Sequence, residues 1–368
     1  MTAATRRPIV PWRLRTERRL VTPRWLPVLT TIGAVVVALV ISGLLIAVIG
    51  GDPINIGRHI LQSSFGSVGV LSDTLVKATP LIFTGLACAL AFRMRLWNIG
   101  AEGQLFMGAW GASAVVLVPL LPADSSPFVL IPAMLMAGIA AGALWGGLAG
   151  WLKARFNVNE IISTLMLNYI AILWVRFWVF GPWSEGGFQQ SARFPRAAWL
   201  PRLTDFANMI PDLGGLTTHL GFLLGLVCAY LVWFLLKRTR KGYEIRLIGD
   251  NPRAARYAGI NIGRNVILVM LMSGGLAGLA GMSEVTGSIH RLQDGISSGY
   301  GFTGVIIAYL ARFNPIGVVI AAILFGALIL AGRQIQPAGI PAMIQGIVLF
   351  CVICSDILVR NRVLLVRR

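Results

Sequence analysis

The sequence predicts an all-α integral membrane protein that crosses the bilayer about ten times, with both ends in the cytoplasm. Of its 368 residues, 56% are hydrophobic and only 12% are charged, whereas soluble domains carry roughly 25% charged residues. Apolar stretches of about twenty residues recur along the chain, and each is long enough to cross a hydrocarbon core as a helix. Because lipid cannot satisfy exposed backbone N–H and C=O groups, these long, non-alternating stretches must be helical.

Hydropathy and the rule that loops rich in Lys and Arg stay cytoplasmic together place the spans. They are predicted at residues 26–50, 74–92, 105–121, 128–151, 161–180, 216–236, 265–287, 301–310, 316–331 and 343–359. The arginine-rich segment 1–25 and the tail 360–368 therefore flank a transmembrane domain, residues 26–359. Within this domain, loop 237–264 is strongly basic and cytoplasmic, whereas loop 181–215 is mixed in charge and external.

The pattern of spans has three further features. The group formed by spans 2 to 5 starts on the external side, and the group formed by spans 7 to 10 starts on the cytoplasmic side. This arrangement is compatible with the inverted repeats of many transporters. The eighth span, 301–310, is too short for a straight crossing, and whether it spans the membrane fully is open. Lys77, Arg176 and Glu284 carry charges within spans, where such residues are rare.

Charge and motifs argue against several other classes of protein. The net charge of +18 lies in the loops between spans and not on a soluble domain that would bind nucleic acid. The sequence lacks the phosphate-binding pattern G-x-x-x-x-G-K-[ST], so we expect no ATP hydrolysis in this chain. His59, His219 and His290 are scattered among external segments, so we expect no histidine-based metal or catalytic site. The cysteines all fall in apolar segments and are predicted to act as small hydrophobic side chains rather than as disulfides or metal ligands: Cys88, Cys228, Cys351 and Cys354.

Glycines recur at intervals of four in two spans, which places them on one face of each helix. They are Gly138, Gly142, Gly146 and Gly150 in the fourth span and Gly274 and Gly278 in the seventh. Small residues let membrane helices approach closely. Tight helix packing is therefore favoured over direct contact with a solute.

The run from Arg93 to Gln104 joins the second and third spans and combines two glycines, expected to interrupt any helix, with polar side chains. Asn98, Glu102 and Gln104 are the candidates for lining a solute pathway, because irregular polar backbone at membrane depth is tolerated inside protein or beside water. The alternative is an ordinary cytoplasmic loop, and these residues alone leave both interpretations open.

The basic loop contains a complete miniature helix. Asn251 suits the N-cap, Pro252 the first helical position, and Gly259 the left-handed residue just past the end. Such a short helix is not stable alone in water and needs a surface to support it.

Two surfaces would support this helix. One is a cytoplasmic partner protein with a groove for Ala254, Ala255 and Tyr257. The other is a membrane surface with anionic lipids, which would bind Arg253 and Arg256. The local pattern does not separate the two.

Three sequence motifs resemble those of a known family. "LWNIGAEGQLFMGAW" occupies residues 96–110, "GDNPRAARYAGIN" residues 249–261 and "RFNPIG" residues 312–317. Together they resemble the permease subunits of ABC importers in the branched-chain amino acid and simple-sugar group. Within that group they look most like the nucleoside permeases that work with a lipoprotein-type binding protein.

The resemblance implies a multi-pass protein of the bacterial inner membrane that carries a nucleoside-like solute into the cytoplasm. Its expected partners are two cytoplasmic ATPases that bind ATP and Mg²⁺, a second permease subunit, identical or homologous, and an external binding protein; no cofactor is expected in this chain. The miniature helix would be the coupling helix that docks into the ATPase, through Asn251, Pro252, Arg253, Ala254, Ala255, Arg256, Tyr257 and Gly259. Transport of a simple sugar or a branched-chain amino acid is an alternative, as is a secondary, ion-coupled transporter, although such transporters usually need carboxylates within the membrane and the spans contain few, Glu284 among them.

Overall fold

The computed structural model describes residues 12–19, 23, 25–118, 122, 125–332, 334–336 and 339–367. Its α-helices are α1 Leu26–Val48, α2 Pro53–Phe65, α3 Val68–Arg93, α4 Ala101–Leu117, α5 Pro127–Phe156, α6 Glu160–Phe180, α7 Leu220–Arg238, α8 Arg240–Asp250, α9 Pro252–Tyr257, α10 Ile262–Ser283, α11 Tyr300–Leu310, α12 Pro315–Gly332 and α13 Ile340–Arg360. A π-helical segment, Glu284–Ile289, continues α10. Short 3₁₀ turns lie at Arg196–Ala198, Leu203–Phe206 and Pro211–Leu213.

Eight helices in the described part of the chain are long and apolar enough to cross a membrane. They are α1, α3, α5, α6, α7, α10 with its π-helical segment, α12 and α13. The prediction of an all-α multi-pass membrane protein is therefore confirmed. The inside location of both ends and the inverted repeat stay predictions.

The local signals at the ends of α5 show how the sequence delimits its helices. The Ser126 side chain accepts a hydrogen bond from the Phe128 backbone N–H at 3.2 Å, and Pro127 occupies the first helical position. At the other end, Asn157 adopts a left-handed conformation with φ of 53°, which ends the helix. Long apolar runs thus become helices whose ends are set by caps.

The chain forms two compact units, and residues 54–341 make up the larger one. In this unit α3 is buried along nearly its whole length, and α10 is buried along most of it. Helices α4, α5 and α10 pack together, and α3 packs against α10, α11 and α12. The core of the unit therefore lies around α3 and α10.

Glycines let α5 and α10 approach to backbone contact. A Cβ atom added at Gly278 would collide with the Gly138 carbonyl oxygen, and one added at Gly274 with that of Gly142. At Gly146 an added Cβ would lie 2.5 Å from the Met270 carbonyl oxygen, and at Gly150 it would lie 2.7 Å from the Met270 Cβ. The glycine stripes singled out in the sequence thus face each other, at a spacing that no larger residue allows.

The smaller unit comprises residues 1–53 and 342–368. It contains α1, most of α13 and a two-stranded antiparallel sheet of β1 Trp12–Arg18 and β2 Asn361–Arg367, paired from Trp12 with Arg367 to Arg18 with Asn361. The all-α prediction did not include this sheet. Within the predicted cytoplasmic ends, residues 1–11 and Arg368 lie outside the described residues.

Three segments differ from the predicted spans. The external stretch 51–73 contains helix α2 and the first turns of α3. The prediction located helices by their apolar runs, and a helix outside the membrane does not need such a run. The third span begins at Ala101, so Gly103 lies inside a helix that it was expected to interrupt; the predicted end at Leu121 lies outside the described residues. The eighth span is the 11-residue helix α11, which is shorter than the helices long enough to cross a membrane.

Candidate functional site

Two short helices, α4 and α11, begin inside the larger unit with their N-termini in contact. The Gly301 backbone N–H donates to Glu102 Oε2 at 2.6 Å, which joins the first turns of the two helices. Thr84 of α3 donates to the Tyr300 carbonyl oxygen at 3.0 Å. Because Thr84 lies nine residues before the end of α3, this junction is about 14 Å from that end, at membrane depth.

The Glu102 carboxylate provides the charge that this junction needs. Each helix N-terminus carries a partial positive charge of about half a unit from its aligned peptide dipoles. Glu102 sits in the first turn of α4 and accepts a hydrogen bond from the first turn of α11, and it is 3% exposed. One buried carboxyl group therefore lies at the positive ends of two helices.

Asn98 and Gln104 form a closed polar network with Ser273 of α10. Asn98 Nδ2 donates to Gln104 Oε1 at 3.0 Å and to Ser273 Oγ at 2.8 Å. In return, Asn98 Oδ1 accepts from Gln104 Nε2 and from the Gly100 backbone N–H, each at 3.0 Å. Ser273 donates to the Ala87 carbonyl oxygen at 2.7 Å. The network thus ties segment 94–100 to both α3 and α10.

The three pathway candidates are therefore brought together, but in the protein interior. Asn98, Glu102 and Gln104 are 0%, 3% and 1% exposed. Their described partners are protein groups, which is how buried polar atoms avoid a desolvation penalty. The three side chains are satisfied by neighbouring groups of this chain, and their role in lining a pathway stays a prediction.

An open polar cavity of about 490 Å³ lies elsewhere, at the predicted external side of the larger unit. Its lining includes both acids and bases, hydroxyl groups and an amide: Asp73, Lys77, Arg202, Thr217, Glu284, Ser288, Gln293, Ser298 and Tyr300. Its volume is within the range of roughly 300–1,000 Å³ that is typical of small-molecule sites. This cavity is the candidate functional site.

A buried ion pair lies in the wall of the cavity. Lys77 Nζ of α3 is 3.4 Å from Glu284 Oε1, at the end of α10, and 3.3 Å from the Tyr300 hydroxyl oxygen. The two charged side chains are 10% and 3% exposed. Ionisable groups at membrane depth are costly to bury and commonly mark pathways for solutes or ions.

Glu284 also begins the π-helical segment. Such segments in α-helices are rare and often occur at functional sites. The cavity wall therefore combines a buried ion pair with an irregular helix.

The predicted external loop packs on the segment that follows this wall. The Trp199 ring stacks on the His290 ring with centroids 3.7 Å apart, and Arg202 Nη2 donates to the Gly287 carbonyl oxygen at 2.9 Å. Burial, with the nearby Arg202 guanidinium, lowers the pKa of His219 to about 3 and that of His290 to about 4. Both histidines are thus neutral at physiological pH.

His219 and His290 were predicted to be scattered, but they lie near one another. The charge of Arg202 is close enough to lower the pKa of both. His219 caps α7 by accepting from the Gly221 N–H at 3.1 Å. The described residues contain no group of three or more potential metal ligands.

At the predicted cytoplasmic side, α9 is capped as the sequence predicts. Asn251 Oδ1 accepts from the backbone N–H groups of Arg253 and Ala254, each at 3.1 Å, and Gly259 has φ of 72°. Tyr257 is 94% exposed, whereas Ala255 is fully buried. The Ala255 side chain thus packs within this chain, and its contact with a partner stays a prediction.

Helix α8 connects α9 to both helices that carry the ion pair. An added Cβ at Gly249 would collide with the Arg93 carbonyl oxygen at the end of α3. Glu244 Oε2 accepts from Asn265 Nδ2 of α10 at 3.2 Å, and a hydrogen bond from Lys241 lowers the pKa of Glu244. A displacement of α9 would thus reach α3 and α10 together.

Sequence reasoning noted Lys77 and Glu284 separately but missed their pairing and the cavity. The available signal was the presence of opposite charges in two apolar spans, since buried charges in membranes pair with one another. Asp73, Thr217 and Gln293 carried no such signal because they lie in ordinary polar segments.

Comparison with known proteins identifies the family. Residues 70–353 match the family described as "Branched-chain amino acid transport system / permease component". The glucose ABC transporter permease of Haloferax volcanii is 35% identical over 361 residues, which cover 95% of this chain and 93% of that protein. The guanosine ABC transporter permease of Bacillus subtilis is 35% identical over 320 residues, 85% and 88% of the two chains. The nucleoside ABC transporter permease of Lactococcus lactis is 29% identical over 342 residues, 89% of each.

These matches confirm the resemblance inferred from the motifs. Permeases of this kind are transport subunits whose ATPase is a separate chain, and they work with ATPase and substrate-binding partners. The chain accordingly belongs to the permease components of the branched-chain amino acid transport family and is a multi-pass subunit of an ABC transporter in the cytoplasmic membrane.

Proposed function

We propose that this chain is the membrane-spanning subunit of an importer that carries a nucleoside-like solute from an external binding protein into the cytoplasm. The observation that carries the proposal is that α9, predicted to be cytoplasmic, packs on α8, which in turn contacts α3 and α10, two helices whose residues line the polar cavity or its wall. Two relatives are named for guanosine and nucleosides and one for glucose. A hydroxylated, uncharged solute fits both sets of names.

Helix α9 is the proposed contact with the ATPase, through Asn251 to Gly259. A six-residue helix that exposes 94% of a tyrosine side chain has an apolar ring without cover in this chain. Aromatic rings of this kind are enriched at the centres of protein interfaces. ATP and Mg²⁺ would bind in the partner, not here.

The coupling would work through α8. Closure of two ATPase subunits on nucleotide would displace α9, and α8 would transmit the displacement to α3 through Gly249 and to α10 through Glu244. Lys77 and Glu284 lie on these same two helices. A shift of α3 against α10 would therefore change the ion pair in the cavity wall. In this way, nucleotide bound at the cytoplasmic ATPases would control the access of the solute to the cavity.

The proposed contact for the binding protein, a lipoprotein or a soluble protein, is loop 181–215. It exposes apolar side chains, including Phe188 at 68% and Met209 at 82% exposure, and its Arg202 lines the cavity. Patches of this kind outside the membrane mark sites of protein interaction. The second permease subunit, identical or paralogous, would complete the transporter.

Uptake measurements test the function. Proteoliposomes with the assembled transporter should accumulate labelled guanosine when ATP is present on the ATPase side, and should accumulate leucine poorly. Uptake that continues without ATP and collapses on addition of an uncoupler would instead show a secondary transporter.

The coupling contact is tested by co-purification. Tyr257→Ala should reduce recovery of the ATPase with the permease at least tenfold, since a central interface tyrosine commonly contributes 2 kcal/mol or more, about 30-fold in affinity. Tyr169→Ala is the matched control, because Tyr169 of α6 is 59% exposed but lies in a predicted span. Equal recovery of the ATPase with both variants would refute the coupling assignment.

A further inference from the structure

We propose that the cavity binds the passing solute through the hydroxyl groups of its sugar ring, and that Asp73 and Gln293 are the residues that contact this ring. The inference rests on the proposed function and adds which part of the solute the permease recognises. Three features of the described part of the cavity support it: balanced charges, unused hydrogen-bonding groups and no open aromatic surface.

The charges around the cavity balance. Two carboxylates, Asp73 and Glu284, face two cations, Lys77 and Arg202. Lys77 is paired with Glu284, and Arg202 donates to the Gly287 carbonyl oxygen. An uncharged solute enters without leaving a charge unpaired, whereas a phosphorylated one would bring negative charge next to Asp73 and Glu284.

Asp73 offers an acceptor suited to a hydroxyl group. It is half-buried, and its Oδ1 accepts a hydrogen bond from the Thr217 hydroxyl at 2.6 Å. Among the described residues no further bond to this carboxylate is formed, so Oδ2 is open to the cavity. A hydrogen bond to a charged acceptor is about twice as strong as a neutral one.

Gln293 supplies the complementary donor and acceptor. Its backbone pairs with that of Gln190, which holds this part of the wall in place, and its half-buried side chain lines the cavity. The amide can donate and accept at once, as two neighbouring hydroxyl groups of a sugar ring require.

The base of a nucleoside finds no comparable partner. Among the described residues that line the cavity, Tyr300 is the one aromatic side chain, and it is 1% exposed with its hydroxyl near Lys77. A planar base therefore has no open ring on which to stack. The group that the cavity can recognise by hydrogen bonds is the vicinal diol, which ribosides and hexoses share.

A comparison of two solutes and two variants in the assembled transporter tests this inference. Asp73→Asn should lower guanosine uptake about tenfold and lower 2′,3′-dideoxyguanosine uptake less than twofold, because the second solute lacks the diol that a charged acceptor would bind. Gln293→Ala should show the same difference to a smaller extent. Uridine should respond like guanosine, since it carries the same ribose.

The matched control is Asp356→Asn on α13, an exposed carboxylate paired with Arg360. It should leave uptake of both solutes unchanged. Equal losses of guanosine and dideoxyguanosine uptake in Asp73→Asn, or no loss in either, would overturn the inference. Failure of the wild-type transporter to take up any nucleoside with ATP would overturn the proposed function instead, so the two failures are distinct.

Discussion

Lys77 and Glu284 should be coupled by several kcal/mol in the folded protein, and a double-mutant cycle measures this coupling energy. At 3.4 Å and an effective dielectric constant of about 20, the attraction between the two charges is about 5 kcal/mol. Lys77→Met would leave Glu284 buried without this partner, and breaking such a pair typically costs about 3–5 kcal/mol. The double variant with Glu284→Gln removes both charges and should recover much of that loss.

The exposed pair Arg176–Asp294 provides the control. Its atoms are closer, at 2.9 Å, but the arginine side chain is 50% exposed. In a medium close to water the attraction is about 1 kcal/mol, and exposed pairs commonly contribute less. Burial rather than distance should therefore decide which pair matters.

The assay is unfolding of the purified permease in mixed detergent micelles, followed by tryptophan fluorescence. We expect a coupling energy above about 2 kcal/mol for Lys77 with Glu284 and below about 1 kcal/mol for Arg176 with Asp294. If the two effects at Lys77 and Glu284 add within about 0.5 kcal/mol, the pair is not coupled in the folded protein and the electrostatic reasoning fails.

Three further predictions concern packing, the polar network and pH. Gly278→Ala should prevent folding, since its Cβ would collide with the Gly138 carbonyl oxygen, while Gly346→Ala, with open space around it, should be tolerated; similar yields of folded protein would contradict the close approach of α5 and α10. Asn98→Ala should lower stability by about 3 kcal/mol or more, because it strips several buried groups of their partner, each worth about 1–3 kcal/mol; a stable variant with reduced uptake would favour a pathway role instead. Because the pKa of His219 is lowered to about 3, the unfolded chain takes up a proton near pH 6.5 that the folded chain does not, so stability falls as pH drops below 6.5. His219→Asn keeps an N-cap acceptor. Between pH 7.5 and pH 5 its free energy of unfolding should fall by about 2 kcal/mol less than that of the wild type in the same assay. Equal falls would refute the lowered pKa of His219.

Local patterns were sufficient for the features that depend on neighbours in the chain. Apolar runs predicted the membrane helices because lipid requires internally satisfied backbone. Asn251, Pro252 and Gly259 predicted a capped helix because caps act within a few residues. Three short motifs were enough to indicate the family that residues 70–353 match.

Contacts between distant segments could be decided only by the tertiary structure. Lys77 and Glu284 are separated by 207 positions, and nothing in either span specifies the other as its partner. Asn98, Glu102 and Gln104 fit either a loop or a pathway, since the sequence shows their polarity but not that Ser273 and Gly301 would form hydrogen bonds with them. Ala255 and Tyr257 lie two positions apart on one short helix, yet one is buried and the other exposed. The sequence by itself therefore determined which segments enter the membrane and where the capped helix lies. The packing of those segments decided which polar groups are closed off and which remain open to a solute, because burial is a property of all the surrounding elements at once.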